Sequence, residues 1–185
     1  MLLLTFHSWS TTNQPTNKPT NVKVETTLIN FDDVTTSGYE SISNGYKGLN
    51  WNEFSVISKD YYAESGYAWG TVSGQYIAFY TGGSDSKYGT ITSSGSPFAV
   101  SGFSATAAWE TGVTVLVEGF DNSGNLIDSH QKMLGSPRNG ATYIDLSGGN
   151  FEGLSELKIS SSGGISVNLR GEGPWLGIDD LQVAI

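Results

Sequence analysis

The sequence predicts an all-β protein, an antiparallel two-sheet β-sandwich of jelly-roll type, and three observations predict it. Apolar residues alternate with polar ones at period two, most clearly where Val113, Val115 and Val117 interleave with Thr114, Leu116 and Glu118. Clusters of Gly, Asn, Ser and Asp interrupt such runs about every ten residues, the rhythm of short strands joined by turns. The third is composition: 15% of the 185 residues are charged, 12% are aromatic and 24 are Gly, against roughly 25% charged in an average soluble domain. No window combines helical apolar spacing with helix-favouring residues between.

Taken along the chain, Met1-Leu2-Leu3-Leu4 is apolar but stops at Thr5, short of a complete signal peptide. The stretch 10–21 has no apolar side chain and includes Pro15 and Pro19, so it lacks the surface to offset its ordering entropy. Residues 1–21 are therefore read as a disordered stub and spacer, and 22–185 as the sandwich domain. Strands are expected at Thr27–Phe31, Trp51–Ile57, Gln75–Tyr80, Gly89–Ser93, Phe98–Trp109, within Gly112–Phe120, on a return run opening at Leu126-Ile127, and at Ala141–Leu146, Glu156–Ser160, Ile165–Leu169 and Ile178–Ile185. Asp121-Asn122-Ser123-Gly124-Asn125 supplies the turn of a hairpin. It looks superficially like a calcium loop but lacks the acidic twelfth position, and a hairpin explains it. One short helix is expected around Lys59–Glu64. The first and last strands of such sandwiches commonly lie side by side, which sets Thr27–Phe31 next to Ile178–Ile185.

Charge and cysteine content exclude several functions. Nine Lys+Arg against 18 Asp+Glu leave a net charge of −9, without the basic cluster that nucleic acid or an anionic membrane surface requires. No stretch approaches the ~18 apolar residues of a membrane span. Cysteine is absent and the only histidines are His7 and His130, so thiolate sites are excluded and imidazole-based zinc or triad chemistry has little material. His130 reads as a surface strand residue. Eighteen acids guarantee that some pair meets the carboxylate spacing of a glycosidase by chance, so their number is no evidence. Glu118 faces away from the valines and reads as a solvated sheet residue, and Arg138 and Arg170 have no motif around them.

Two constellations remain. Asp32-Asp33 ends the first strand and Asp179-Asp180 opens the last; if those strands are neighbours, four carboxylates approach one edge, a donor set for a structural Ca²⁺. The alternative is two turn-associated pairs capping their own loops. The second constellation is aromatic. Tyr61, Tyr62, Tyr67 and Trp69 crowd one stretch with Glu64 and Ser65, and Trp175 follows Gly171-Glu172-Gly173-Pro174 in an expected loop. Flat rings stack on the apolar faces of sugars, which makes these five the candidate ligand-binding residues. Trp69 is divided between that role and burial. Trp51 and Trp109 fall in strand patterns and are assigned to the core.

With those residues in view, the chain resembles a group of exported bacterial proteins, with looser fungal counterparts, many of which carry a C-terminal PEP-CTERM sorting tail. The pieces are Leu28-Ile29-Asn30-Phe31-Asp32-Asp33, Gly48-Leu49-Asn50-Trp51, Ser65-Gly66-Tyr67, Val72-Ser73-Gly74, Ala78-Phe79, Ser96-Pro97-Phe98, Ala107-Ala108-Trp109, Val117-Glu118-Gly119-Phe120 and Ile178-Asp179-Asp180-Leu181, in consistent order over about residues 27–185. The sequence departs from that pattern in having no sorting tail. The resemblance implies secretion to the extracellular space or cell surface, and a jelly roll similar to carbohydrate-binding modules and lectins. It carries over no catalytic residue. The expectation is a non-catalytic extracellular binding or matrix domain that recognises polysaccharide or a cell-surface glycan through loop aromatics, with a structural calcium. The alternatives are a protein-binding adhesion module and a small carbohydrate-active enzyme.

Overall fold

The computed structural model describes residues 25–80, 88–93 and 95–185; the expected spacer lies outside them. The described strands are β1 (Thr27–Ile29), β2 (Tyr39–Ser41), β3 (Leu49–Asn52), β4 (Phe54–Ser58), β5 (Tyr76–Tyr80), β6 (Tyr88–Ser93), β7 (Ala99–Ala107), β8 (Glu110–Thr111), β9 (Thr114–Phe120), β10 (Leu126–Met133), β11 (Thr142–Asp145), β12 (Glu156–Ser162), β13 (Ile165–Ser166) and β14 (Leu176–Ala184). A single α-helix, α1 (Gly66–Gly70), is described between β4 and β5. The larger sheet runs β11-β7-β14-β5-β4-β2 with β1 also on β14, the smaller runs β10-β9-β12-β6-β3, and β13 pairs with β8 in a separate ribbon. Every pairing is antiparallel. The fold is the expected all-β two-sheet sandwich.

The alternation that predicts the strands also builds the core. Val115 and Val117 of β9, with Val113 before them, are fully buried between the sheets, where they meet Phe103 of β7 and Ile178, Leu181 and Val183 of β14 in one cluster. Each such side chain contributes about 1.5–3 kcal/mol on leaving water. Glu118 lies directly opposite Lys158 of β12 and pairs with it at 3.4 Å, on the face away from the valines. Asp121 closes the β9–β10 hairpin by accepting from the amides of Ser123 (2.8 Å) and Asn125 (2.9 Å). His130 lies on β10, at the rim of the smaller sheet.

The first and last strands are neighbours, as expected: Thr27, Leu28 and Ile29 face Val183, Gln182 and Leu181. The same edge of β14 serves two strands, β5 at Gly177 and Ile178 and β1 at Leu181–Val183, while β7 takes the other edge. Between them the β14–β7 register shifts, and Asp180 adopts a left-handed φ of 51°.

Three expected elements differ. Trp51–Ile57 is two strands in different sheets, because Glu53 takes φ 62° and turns the chain from one layer to the other. The turn lets Trp51 and Phe54, three residues apart, both enter the core (edge-to-face, 5.6 Å between rings), which an unbroken strand forbids. The helix falls at 66–70 instead of Lys59–Glu64, since Ser65 is the residue able to cap it: its hydroxyl accepts from the Ala68 amide and donates to the Tyr62 carbonyl (2.6 Å). Gly66 is required there because a Cβ would collide with the Ala107 carbonyl. Ile165–Leu169 shrinks to Ile165–Ser166, ended by Asn168 at φ 57°.

Candidate functional site

The outer face of the larger sheet is the place to look for a site, since it carries an apolar cluster of its own. On β4 and β5, Phe54, Val56, Ala78 and Tyr80 point into the sandwich, and Ile57, Ile77 and Phe79 point out. Helix α1, held by Ser65, lowers Tyr67 onto Phe79 (5.3 Å between rings), and Trp109, just past β7, meets Tyr67 edge-on at 5.8 Å. Tyr62 stands on Trp109 at 5.5 Å and 77°, and Tyr61 on Tyr62 at 4.9 Å and 81°. Tyr39 of the outermost strand β2 reaches Phe79 from the other side at 5.8 Å.

These rings enclose an open cleft of about 340 Å³, lined by Tyr39, Ile57, Tyr61, Tyr62, Tyr67, Phe79, Trp109 and Trp175. The volume lies at the small end of the roughly 300–1,000 Å³ of ligand pockets. Rings that meet at 77–84° wall a pocket; they do not lay out one flat platform. Tyr61 (56%), Tyr62 (42%) and Tyr39 (46%) form its exposed walls, and Tyr67 (4%) and Trp109 (7%) its floor. Burial pushes the Tyr67 phenol far above its usual range, so the floor stays neutral. Side chains of this kind offer apolar faces together with hydroxyl and indole N–H groups, and no formal charge.

Four of the five aromatic candidates, Tyr61, Tyr62, Tyr67 and Trp175, therefore meet in one place. Trp69 is elsewhere: it lies outside the cleft lining, under the guanidinium of Arg138 at 4.9 Å. Trp51 is core, with its N–H donated to the Tyr46 carbonyl (3.0 Å). Trp109 combines both roles, nearly buried yet forming the floor. Tyr39, Phe79 and Ile57 are the lining residues that sequence reasoning missed. Alternation along β4 and β5 marks Ile57 and Phe79 as outward and apolar, the available sign that this face is covered.

The acidic candidates converge in part. Asp32 Oδ1 accepts from the amides of Gln75 (2.7 Å) and Tyr76 (3.1 Å). Asp179 Oδ2 accepts from the amides of Val72 (2.8 Å) and Ser73 (3.1 Å), and Asp180 Oδ1 accepts from the Ser73 hydroxyl (2.6 Å). Three carboxylates thus grip the 72–76 loop in the gap where β5 gives way to β1 along β14. Gly74, at φ 57°, passes so close to Asp32 that a Cβ would overlap the carboxylate. Asp33 turns away, to Lys47 (2.5 Å) and the Tyr46 hydroxyl (2.6 Å), and these donors hold its carboxyl below the usual range. Among the described residues no group of three or more His, Cys, Asp or Glu side chains is set to hold a metal ion. As placed, these acids act as loop clamps.

An all-β sandwich with an aromatic cleft on the outer face of its larger sheet defines the class. No family model matches the chain, and no curated protein matches it. Among solved structures, it is similar to a DUF4465 family protein from Bacteroides caccae ATCC 43185, at 11% identity and a TM-score of 0.62, over 86% of this chain and 98% of that one. Two further structures are similar: a DUF4465 family protein from Bacteroides ovatus ATCC 8483 (11% identity, TM-score 0.45, 87% and 94% covered) and TmCBM61 in complex with β-1,4-galactotriose (15% identity, TM-score 0.44, 83% and 92% covered). What the likeness establishes is the fold.

Proposed function

We propose that the chain is a non-catalytic glycan-binding domain of an exported, PEP-CTERM-type protein, and that it takes a saccharide unit into the aromatic cleft. One observation carries this reading: Tyr61, Tyr62, Tyr67 and Trp175, chosen because rings of this kind stack on sugars, gather with Tyr39, Phe79 and Trp109 around a single open cleft. Rings set at steep angles suit a unit that enters from solvent, such as a chain end or side branch. Support for a binding rather than a hydrolytic role comes from the lining, in which none of the eight side chains is a carboxylic acid; bond cleavage by the usual route needs two flanking the glycosidic oxygen.

The test is affinity electrophoresis through gels containing neutral polysaccharides, comparing the protein with Tyr62→Ala. Tyr62 is exposed enough that its loss leaves the fold intact. Removing one stacking ring, worth about 0.5–1.5 kcal/mol, should weaken retardation roughly 2- to 12-fold. Equal retardation of both proteins would move the binding elsewhere. Capture of a protein partner with blank polysaccharide gels would favour the adhesion reading.

A further inference from the structure

We infer that Gln75, which lies outside the cleft lining, is the positioning residue for the two exposed walls Tyr61 and Tyr62: it ties the turn that carries them to the loop the aspartates clamp. Its effect on binding rests on the glycan reading. The inference also gives the acidic constellation a bearing on the aromatic one.

Three observations carry the inference. First, Ser58, Lys59 and Asp60, immediately before the two rings, are joined to Gly74 and Gln75 by four hydrogen bonds. The Gln75 carbonyl accepts from the Lys59 amide (3.0 Å), and the Gln75 side-chain amide donates to the Ser58 hydroxyl (2.9 Å) and to Asp60 Oδ2 (2.6 Å). The Lys59 ammonium donates to the Gly74 carbonyl (2.8 Å). Second, Gln75 is itself fixed: its backbone N–H is donated to Asp32 Oδ1 (2.7 Å), next to the bonds that Val72 and Ser73 give Asp179. Third, the rings sit between close neighbours. The Tyr61 amide closes the turn on the Ser58 carbonyl (2.9 Å), and the Tyr61 ring lies against Gly38, where a Cβ would come within 3.0 Å of it. Beyond the rings, the Ser65 hydroxyl holds the Tyr62 carbonyl (2.6 Å). The two walls are thus tethered before by Gln75 and after by Ser65.

Three of the four bonds use Gln75, and the one to Asp60 is charge-assisted, the stronger kind. Bonds that share partners in this way reinforce one another, so loosening Gln75 frees the turn and lets both rings leave the angles at which they wall the cleft. Gln75 acts through those rings without touching a sugar. The isosteric Gln75→Glu keeps both backbone bonds of residue 75 but sets a second carboxylate against Asp60. Adding Asp60→Asn then restores the bond between the two side chains with donor and acceptor exchanged, a rescue that a general loss of packing would not show.

Two readouts are taken on the full chain: retardation in gels of neutral polysaccharide (hydroxyethylcellulose, galactan, xylan, galactomannan), and hydrogen–deuterium exchange of the Lys59 and Tyr61 amides without any ligand. Gln75→Glu should weaken retardation roughly 2- to 12-fold, the range of one stacking ring. It should also speed exchange at Lys59 and Tyr61 about threefold or more, with β9 and β12 unchanged. Adding Asp60→Asn should return both readouts to within about twofold of the unaltered protein. Full retardation in Gln75→Glu, or a loss that Asp60→Asn leaves in place, overturns the positioning role and leaves the glycan reading standing. Passage of the unaltered protein through every gel overturns the glycan reading itself. Exchange then decides on Gln75 alone: rates that rise and are rescued uphold its hold on the turn, and unchanged rates overturn it.

Discussion

Asp179 has no exposure to solvent and receives three backbone amides, those of Val72, Ser73 and Asp180. Burial is the largest influence on its carboxyl and the neighbouring Asp180 charge acts the same way, so it rises to about 6 although the amides favour the anion. An acid whose folded pKa lies above its unfolded value of about 3.9 favours folding at low pH: its contribution is complete below the unfolded value and is lost as pH rises through about 6. Asp33, Asp121, Asp128 and Asp145 are lowered by hydrogen bonds from nearby donors. Their contributions are present above the unfolded value and vanish as pH falls through their folded ones. The melting temperature should therefore climb as pH is lowered from about 8 to about 5 and drop below about 4. Asp179→Asn should flatten the upper limb and cost about 1–3 kcal/mol, since the side-chain NH2 takes the place of an accepting oxygen and faces at least one backbone N–H that then has no acceptor. A thermal-shift series in pH on both proteins checks this. At this scale the sequence was legible for ring chemistry but not for ring position. Tyr61, Tyr62 and Trp69 look alike in the chain, yet Trp69 leaves the cleft because the helix that carries it points that ring toward Arg138.

Among the elements, α1 has the most bearing on the site, for it holds Tyr67 over Phe79 and Trp109 with five residues, two of them glycine. A helix that short has no stability of its own; Ser65 and the packing beneath keep it. Ser65→Ala should cost about 1 kcal/mol and, by loosening Tyr67, weaken retardation in neutral gels more than it lowers the melting temperature would suggest. Thermal unfolding and affinity electrophoresis on the same sample separate the two effects. Strand existence was readable from alternation, as Val113–Val117 shows. Strand boundaries were not, where a non-glycine residue takes a left-handed turn. Glu53 has no turn signature, and the clue was that Trp51 and Phe54, an odd number apart, are both aromatic. The helix was misplaced because residues 59–64 have helix formers while 66–70 have glycines; tertiary packing overrode propensity.

For the molecule as a whole, the clean alternation of Leu181–Ile185 made the last strand legible, its pairing with the first followed from the common topology of such sandwiches, and the DUF4465 likeness supports the same sandwich. The convergence of the four aspartates was legible only halfway. The sequence places acids at both strand ends but is silent on the 72–76 loop whose amides they accept. With three carboxylates already engaged in this way, treatment with EDTA should leave the melting temperature where it was. A fall that added Ca²⁺ reverses would show that the same acids also hold a cation.

Because β1 runs antiparallel to the end of β14, Glu25 and Ile185 both border a single groove. Joining residue 185 to residue 25 through a short flexible bridge, and reopening the chain in the solvent-exposed Asn122-Ser123-Gly124 hairpin, should yield a rearranged polypeptide that folds and keeps its cleft, because no strand is cut. Such a rearrangement carries both attachment points to the far end of a hairpin, so the same domain could be grafted into a host loop with its ring-lined face presented in a new direction.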